Sequence, residues 1–365
     1  LIDMLAAIDH RLAGTDEAEM TVAASPIGPL GRHAAAVRAM GSRFVADVLA
    51  AGERQLWRAP RTAALIAGWP GDAAADALAM RFNAALHALA RRGADPDLAA
   101  LFHAAAGDVD RAVGAAMAAH DAFIADWMRE APQTNEVGRT GAIMAALMVL
   151  GARRAMPVAL RELGASAGLN LLLARYAHDL GGVAAGDPTS PVRVAPRWTG
   201  VAPPAAPVTI ASARGVDLRP LDVRDDAACE RLMAHVWADE PARAQRLAAA
   251  LRIARADSPQ LERGDIADWL PAQLAQPQSA GEWRVVVHSM ALQYCDARAR
   301  ALVDDAFAIA GARADADRPL ARIGFEWTAA RDAVHLSLTT WPDGVTEHLA
   351  TCHAYGAWVD WHGTR

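Results

Sequence analysis

The stretch PVALRELGASAGLNLLLARY, residues 157–176, constrains the fold of this chain more than any other. Val158, Leu160 and Leu163 mark a short buried strand over 157–163. The residues Glu162 to Gly168 form a small-residue turn, and Leu169, Leu171, Leu172 and Leu173 predict a helix after it. A strand running through a tight turn into a helix start is a device for holding a nucleotide or a nucleophile. Small residues let the backbone approach a ligand, and open N–H groups at the helix start favour electron-rich atoms.

The regions on either side differ in period. From about residue 30 to 130 every signal is helical, so 1–130 reads as an α-helical domain. His33–Ala51 predicts one helix ended by Gly52, and Asp72 caps a second, with Leu78, Phe82, Leu86 and Leu89 on one face. Asp95-Pro96 opens a third, and Asp108 a fourth that runs to Glu130. From 131 to 365 strands and helices alternate. Further strands are expected at 211–218, 259–263, 283–289, 321–327, 334–341 and 357–361, and helices from Asp225, Asp239 and Arg298. The excursion 183–207 carries six prolines, which forbid a regular helix or central strand and leave room for a short hairpin around 192–198. This order implies an α/β domain with a mostly parallel sheet and an antiparallel edge.

Composition removes several chemistries. The chain has no lysine, so Schiff-base, phosphate-loop and Ser-x-x-Lys mechanisms are excluded. A net charge of −6 offers no basic surface for nucleic acid. Cys229, Cys295 and Cys352 stand apart, which argues for a reducing compartment and against a thiolate metal site. His348, Cys352 and His353 lack matching carboxylates, so no metal is expected. The start, LIDMLAAIDHRLAG, has charges inside its apolar run and does not read as a secretory signal. The longest apolar run, Ala142–Leu150, is well short of the ~20 residues of a membrane span. A cytoplasmic protein with a small-molecule partner is the expectation; oligomeric state is not legible.

Three chemistries compete for the turn. Dinucleotide binding needs G-x-G-x-x-G, but Ser166 and Leu169 occupy two of the three glycine positions. A serine hydrolase fits G-x-S-x-G, with Ser166 as nucleophile, Asp304 or Asp332 as acid, and His335, His348, His353 or His362 as base. That elbow also needs earlier strands and an oxyanion loop, and the preceding residues are helical. S-adenosylmethionine binding asks for an acid two residues before the first glycine, which Glu162, Gly164, Ser166 and Gly168 supply. It also asks for a carboxylate for the ribose diol after the next strand and an acceptor for the adenine amino group after the third; Asp217 and Asp265 sit there. Ile266 and Ser289 complete this cofactor-binding set.

The motifs QTNEVGR (133–139), ELGASAGLNLLLARY (162–176), GVDLRPLDV (215–223), VVVHSMALQY (285–294) and HAYGAWVDW (353–361) together resemble an uncharacterised bacterial domain-of-unknown-function family. That family is itself similar to class I S-adenosylmethionine-dependent methyltransferases. The resemblance implies a Rossmann-like fold, S-adenosylmethionine as cofactor, and cofactor contacts at Glu162, Gly164, Gly168, Asp217 and Asp265. Methyl transfer mainly requires alignment and exclusion of water, with a base only for an acceptor that loses a proton. His288, at the end of its strand, is the expected base, and Glu326 supports it or binds the acceptor. Gln133, Asn135, Glu136, Arg139 and Tyr294 are expected around the acceptor, with Asn135 also capping a helix over 136–150. No N/D-P-P-Y/F tetrapeptide is present, which argues against amino-group DNA methylation. The alternatives are the Ser166 hydrolase and a non-catalytic protein that keeps the fold.

Overall fold

A computed structural model describes residues 28–363 apart from Ala75. The reading of residues 1–14 as no secretory signal, and the first part of the helical domain, lie outside the described residues. Two compact units result. One holds the described residues up to Thr134 together with Glu230–Gln245; the other holds Asn135–Cys229 and the described residues from Arg246 onward.

The first unit is helical: Pro29–Ala39, Arg43–Gln55, Pro60–Ala67, Leu78–Arg91, Pro96–Ala104 and Val109–Met128. Leu30, Val45, Leu49, Phe82, Leu86, Val113, Met117 and Ile124 form its core, and Ala234 and Trp237 are buried in the same cluster. That burial explains why a segment from the second half of the sequence belongs here. Asp95 and Asp108 cap their helices as expected, accepting from Leu98 N and Arg111 N. Three expectations need correction. The span 33–51 is not one helix, because the chain breaks at Gly41 (φ 102°) and restarts under a Ser42 cap. Gly52 does not end the second piece; a Cβ there would meet the Phe82 ring at 2.4 Å, so the glycine serves helix packing. Asp72 likewise closes a local turn to Ala74 N, and the helix begins only at Leu78.

In the second unit the strands, in chain order, are β1 (Val158–Leu163), β2 (Ala177–Leu180), β3 (Val183–Gly186), β4 (Arg193–Val194), β5 (Arg197–Thr199), β6 (Ile210–Asp217), β7 (Leu261–Arg263), β8 (Trp283–Ser289), β9 (Leu320–Trp327), β10 (Val334–Trp341), β11 (Val345–Cys352) and β12 (Trp358–Trp361). Nine form one sheet in the order β5-β12-β11-β10-β9-β8-β1-β6-β7, and β3-β2-β4 form a small second sheet. The pairs from β7 through β9 are all parallel; β9–β10, β10–β11 and β11–β12 are antiparallel. The fold is therefore mixed α/β with a mostly parallel sheet. Every residue of β8 is buried, as a strand covered on both faces must be. One face packs on the helix Thr140–Arg153 through Leu147, Leu160, Val287 and Phe325. The other packs on the helices Ile266–Ala275 and Ala297–Gly311 through Val216, Val286, Leu270 and Phe307.

The excursion departs from expectation. No hairpin forms at 192–198: β4 joins the small sheet, whereas β5 pairs in parallel with β12. Nor does an α-helix follow β1. Leu169–Arg175 is a seven-residue 3-10 helix, and the Tyr176 hydroxyl that follows it donates back to Leu169 O at 2.6 Å.

Several histidines are buried without charge. Burial pushes His87 and His178 down to about 4 and His235 to about 3. In the unfolded chain these rings titrate near the ordinary 6.5, so below that pH the unfolded state binds more protons and stability falls as pH drops. The predicted loss from pH 7 to pH 4 is on the order of 3 kcal/mol per ring. Urea midpoints measured across that range check this. His235→Gln should flatten the slope; a slope unchanged by the substitution would contradict the assignment.

Candidate functional site

From β1 the chain moves outward to β6 and β7, then returns to β8 on the other side of β1. The crevice of such a sheet opens beyond the C-terminal ends of the strands at this reversal. Glu162 pairs with Val287 and Gly215 across the adjacent strands, and Leu163 with His288 and Val216. The residues following β1 and β8 therefore meet at this crevice.

The turn after β1 is held from several directions. Gly164 N and Ala165 N donate to Val216 O, Ser166 N to Asp217 Oδ2 at 2.8 Å, and Gly168 N to Ala165 O. Ala167 N and Leu169 N both donate to Asn135 Oδ1, at 3.2 and 3.1 Å. All six N–H groups from 164 to 169 are thus spent inside the chain. The expectation of open N–H groups at a helix start is corrected, and with it the pyrophosphate cradle. Ser166 sits at φ 55° and Gly164 and Gly168 at φ 71°. A Cβ on Gly164 would meet Ala291 at 2.6 Å and one on Gly168 would meet Pro259 at 2.5 Å, so these glycines admit neighbouring loops.

Asn135 is not a helix cap. Its backbone lies at φ 37° and its side chain spans to the turn, while Glu136 caps the 3-10 turn Val137–Arg139 by accepting from Gly138 N at 2.8 Å. Glu136 also pairs with Arg246 at 3.3 Å. A Cβ on Gly138 would meet Tyr355 O at 2.5 Å, and one on Gly356 would meet Gly138 O at 2.3 Å. The 133–139 and 353–361 motifs therefore touch backbone to backbone. Gln133 falls in the first unit.

Two buried charged side chains face this crevice. Arg139 donates from Nε to Ala354 O at 2.9 Å and from Nη1 to Ser289 O and Oγ at 3.3 Å each. Burial lowers its guanidinium pKa, opposed by Glu136, Tyr355 and Glu326. Burial pushes Glu162 up to about 8, opposed by Asn170 and Arg139. Asn170 Nδ2 donates to Glu162 Oε1 at 2.8 Å, while Glu162 Oε2 and Asn170 Oδ1 are buried without a partner among the described residues. Asn170 was not among the expected residues, although it closes the GASAGLN motif.

The other acids are arranged differently. Asp217 accepts from Ser166 N and, through Oδ1, from Arg219 N. Asp265 is exposed and caps Ile266–Ala275 by accepting from Ala267 N at 2.7 Å; Ile266 starts that helix, half-buried. His288 donates from Nδ1 to Glu326 Oε1 at 2.8 Å and accepts at Nε2 from Arg322 Nε at 3.0 Å. Both ring nitrogens are occupied, and burial lowers the ring pKa. Glu326 Oε1 also accepts from Ala291 N and Leu292 N, so it anchors the loop after β8. Tyr294, in that loop, is 64% exposed. Arg322 and its partner Asp304, at 2.7 Å, carry no motif that would have marked them in advance.

Two open cavities lie away from this crevice. One of about 380 Å³ is lined by Arg153, Arg154, Trp283, Trp341 and Glu347, at the opposite ends of β1 and β8. The other, of about 540 Å³, lies beside β3 and residues 205–208. Among the described residues no helix is long and apolar enough to cross a membrane.

Asn135→Ala leaves two buried N–H groups unpaired and should cost about 3 kcal/mol in urea unfolding; Asn135→Asp, which keeps an acceptor, should cost clearly less. Equal losses in the two variants would sink the tie assigned to Asn135.

The family model described as "Uncharacterized protein conserved in bacteria (DUF2332)" matches residues 29–361, so the chain belongs to that family. No curated protein and no solved structure matches it.

Proposed function

We propose that this member of the bacterial family is an S-adenosylmethionine-dependent methyltransferase with a Rossmann-like sheet, acting on a small-molecule acceptor. The observation that carries the reading is the hydrogen bond from Ser166 N to Asp217 Oδ2 at 2.8 Å. It joins the acid after β6 to the turn after β1 in one wall of the crevice. Glu162, Asp217 and Asp265 stand at or just past the ends of β1, β6 and β7, which are neighbours in the sheet. The parallel order β7-β6-β1-β8-β9 with an antiparallel β10 suits a doubly wound nucleoside-binding sheet.

The donor set fits the cofactor. Asn170 Oδ1 is a buried acceptor and Glu162 Oε2 a buried carboxyl oxygen, neither with a partner among the described residues, and an ammonium brought there would draw Glu162 back to its charged form. Asp217 has lone pairs left for a ribose diol, and Asp265 is exposed where an adenine amino group would be met. When bound, the cofactor supplies a methyl group on a sulfonium. The chain's part is to align the acceptor and exclude water. Glu326 is the better candidate for taking an acceptor's proton: Oε1 is fixed by three donors and Oε2 makes no hydrogen bond to a described residue. His288, with both nitrogens engaged, then acts as a positioning residue.

Calorimetry with S-adenosylhomocysteine tests the reading. Binding is expected, weakened about tenfold or more by Asp217→Asn, which removes the carboxylate charge. Asp265→Ser keeps a capping acceptor and should weaken binding while leaving the urea midpoint near wild type. Absence of heat at millimolar ligand would refute cofactor binding.

A further inference from the structure

Arg139 stands in the crevice with fewer partners than a buried guanidinium can use. It is only 8% exposed. A guanidinium carries five N–H donors, one on Nε and two on each Nη. Nε donates to Ala354 O and Nη1 to Ser289 O and Oγ. Nη2 makes no hydrogen bond to a described residue and, unlike Glu162 Oε2, is not sealed off from solvent.

The three acceptors that Arg139 does have are neutral. The carboxylates whose charge reaches it are engaged elsewhere: Glu136 pairs with Arg246 at 3.3 Å, and Glu326 with His288 at 2.8 Å. No carboxylate among the described residues stands in ion-pair contact with Arg139. A buried cation among neutral partners keeps much of its desolvation cost, which an anion placed beside it would offset.

A second donor lies next to it. Ser289 Oγ accepts from Arg139 Nη1 at 3.3 Å, and its own hydroxyl hydrogen goes to no described acceptor. Nη2 and the Ser289 hydroxyl are therefore two neighbouring donors, and a carboxylate has two oxygens to meet them. With Glu136, Glu162 and Glu326 close enough to act on Arg139 or to feel it, a singly charged group suits this place better than a phosphate dianion.

Position in the sheet says which part of a ligand would lie here. Ser289 ends β8 and pairs with Phe325 on β9, whose ring lies 5.9 Å from Arg139 Cζ. Glu326 is the next residue of β9. Asp217 and Asp265 belong to β6 and β7, on the other side of β1. The donor pair thus occupies the half of the crevice that holds Glu326 and is turned away from the acids assigned to the nucleoside.

We propose that Arg139, together with the Ser289 hydroxyl, holds a carboxylate of the methyl acceptor, so that the acceptor is a small organic acid. Only the word acceptor rests on the methyltransferase reading; the carboxylate site stands on its own contacts.

Saturation-transfer NMR of the full chain, with benzoate and its neutral counterpart benzamide as probes, tests the site. Benzoate is expected to bind about tenfold or more tighter than benzamide. Arg139→Gln should erase that ratio and Ser289→Ala should reduce it. If Arg139→Gln does not fold, the wild-type ratio decides, with a crystal soaked in benzoate showing a carboxylate oxygen on Nη2. Equal affinities, no binding of either probe at about 10 mM, or benzoate seated elsewhere would each overturn the site. Calorimetry with S-adenosylhomocysteine separates this proposal from the reading it extends. Heat that persists in the presence of benzoate is expected. Heat abolished both by benzoate and by Arg139→Gln would give Arg139 to the cofactor's own carboxylate and overturn its assignment to the acceptor. No heat, with benzoate still preferred over benzamide, would support the carboxylate site and end only the methyl transfer.

Discussion

The Asn135 side chain, accepting from two backbone N–H groups of the turn after β1, is the interaction on which the crevice depends. A turn at this depth cannot leave its donors unpaired, since each would cost about 1–3 kcal/mol. Asn135 and Asp217 supply the acceptors from distant points in the sequence, and Val216 O and Ala165 O supply the rest. The backbone at 164–169 is thereby closed to anions. The polar atoms left at the crevice belong to the side chains around it.

Those side chains sit in an unusual electrostatic setting. Arg139 is buried against carbonyl and hydroxyl oxygens, and the buried Glu162 is drawn toward its neutral form. A charge removed from water favours whatever neutralises it, which is why burial moves both groups toward their neutral forms. The Glu326–His288–Arg322–Asp304 series works in the opposite sense. Each member satisfies the next, fixing the His288 tautomer and the direction of Glu326. Glu162 and Asn170 keep unpartnered oxygens among the described residues, whereas the second series is closed.

Much of this was legible in the sequence. β8 coincides with WRVVVHS and β10 with VHLSLTTW, because continuous or alternating apolar runs report burial directly. Aspartate caps at 95 and 108 were visible because capping is local chemistry. The errors came where a distant group overrode local preference. Phe82 made Gly52 a packing residue, and Asn135 left its expected cap for a turn 32 residues away.

The sequence by itself determined the helical front, the alternation that builds the parallel sheet, and the placing of Glu162, Asp217 and Asp265 at or just past strand ends. Periodicity, capping and turn composition act over a few residues, so they can be read from neighbours alone. Only the tertiary structure decided that Asp217 binds the 166 backbone, that His288 has no free nitrogen, and that Arg139 is buried among neutral oxygens. Hydrogen-bond partners and strand register depend on which segments meet in space, and side-chain types do not specify that meeting.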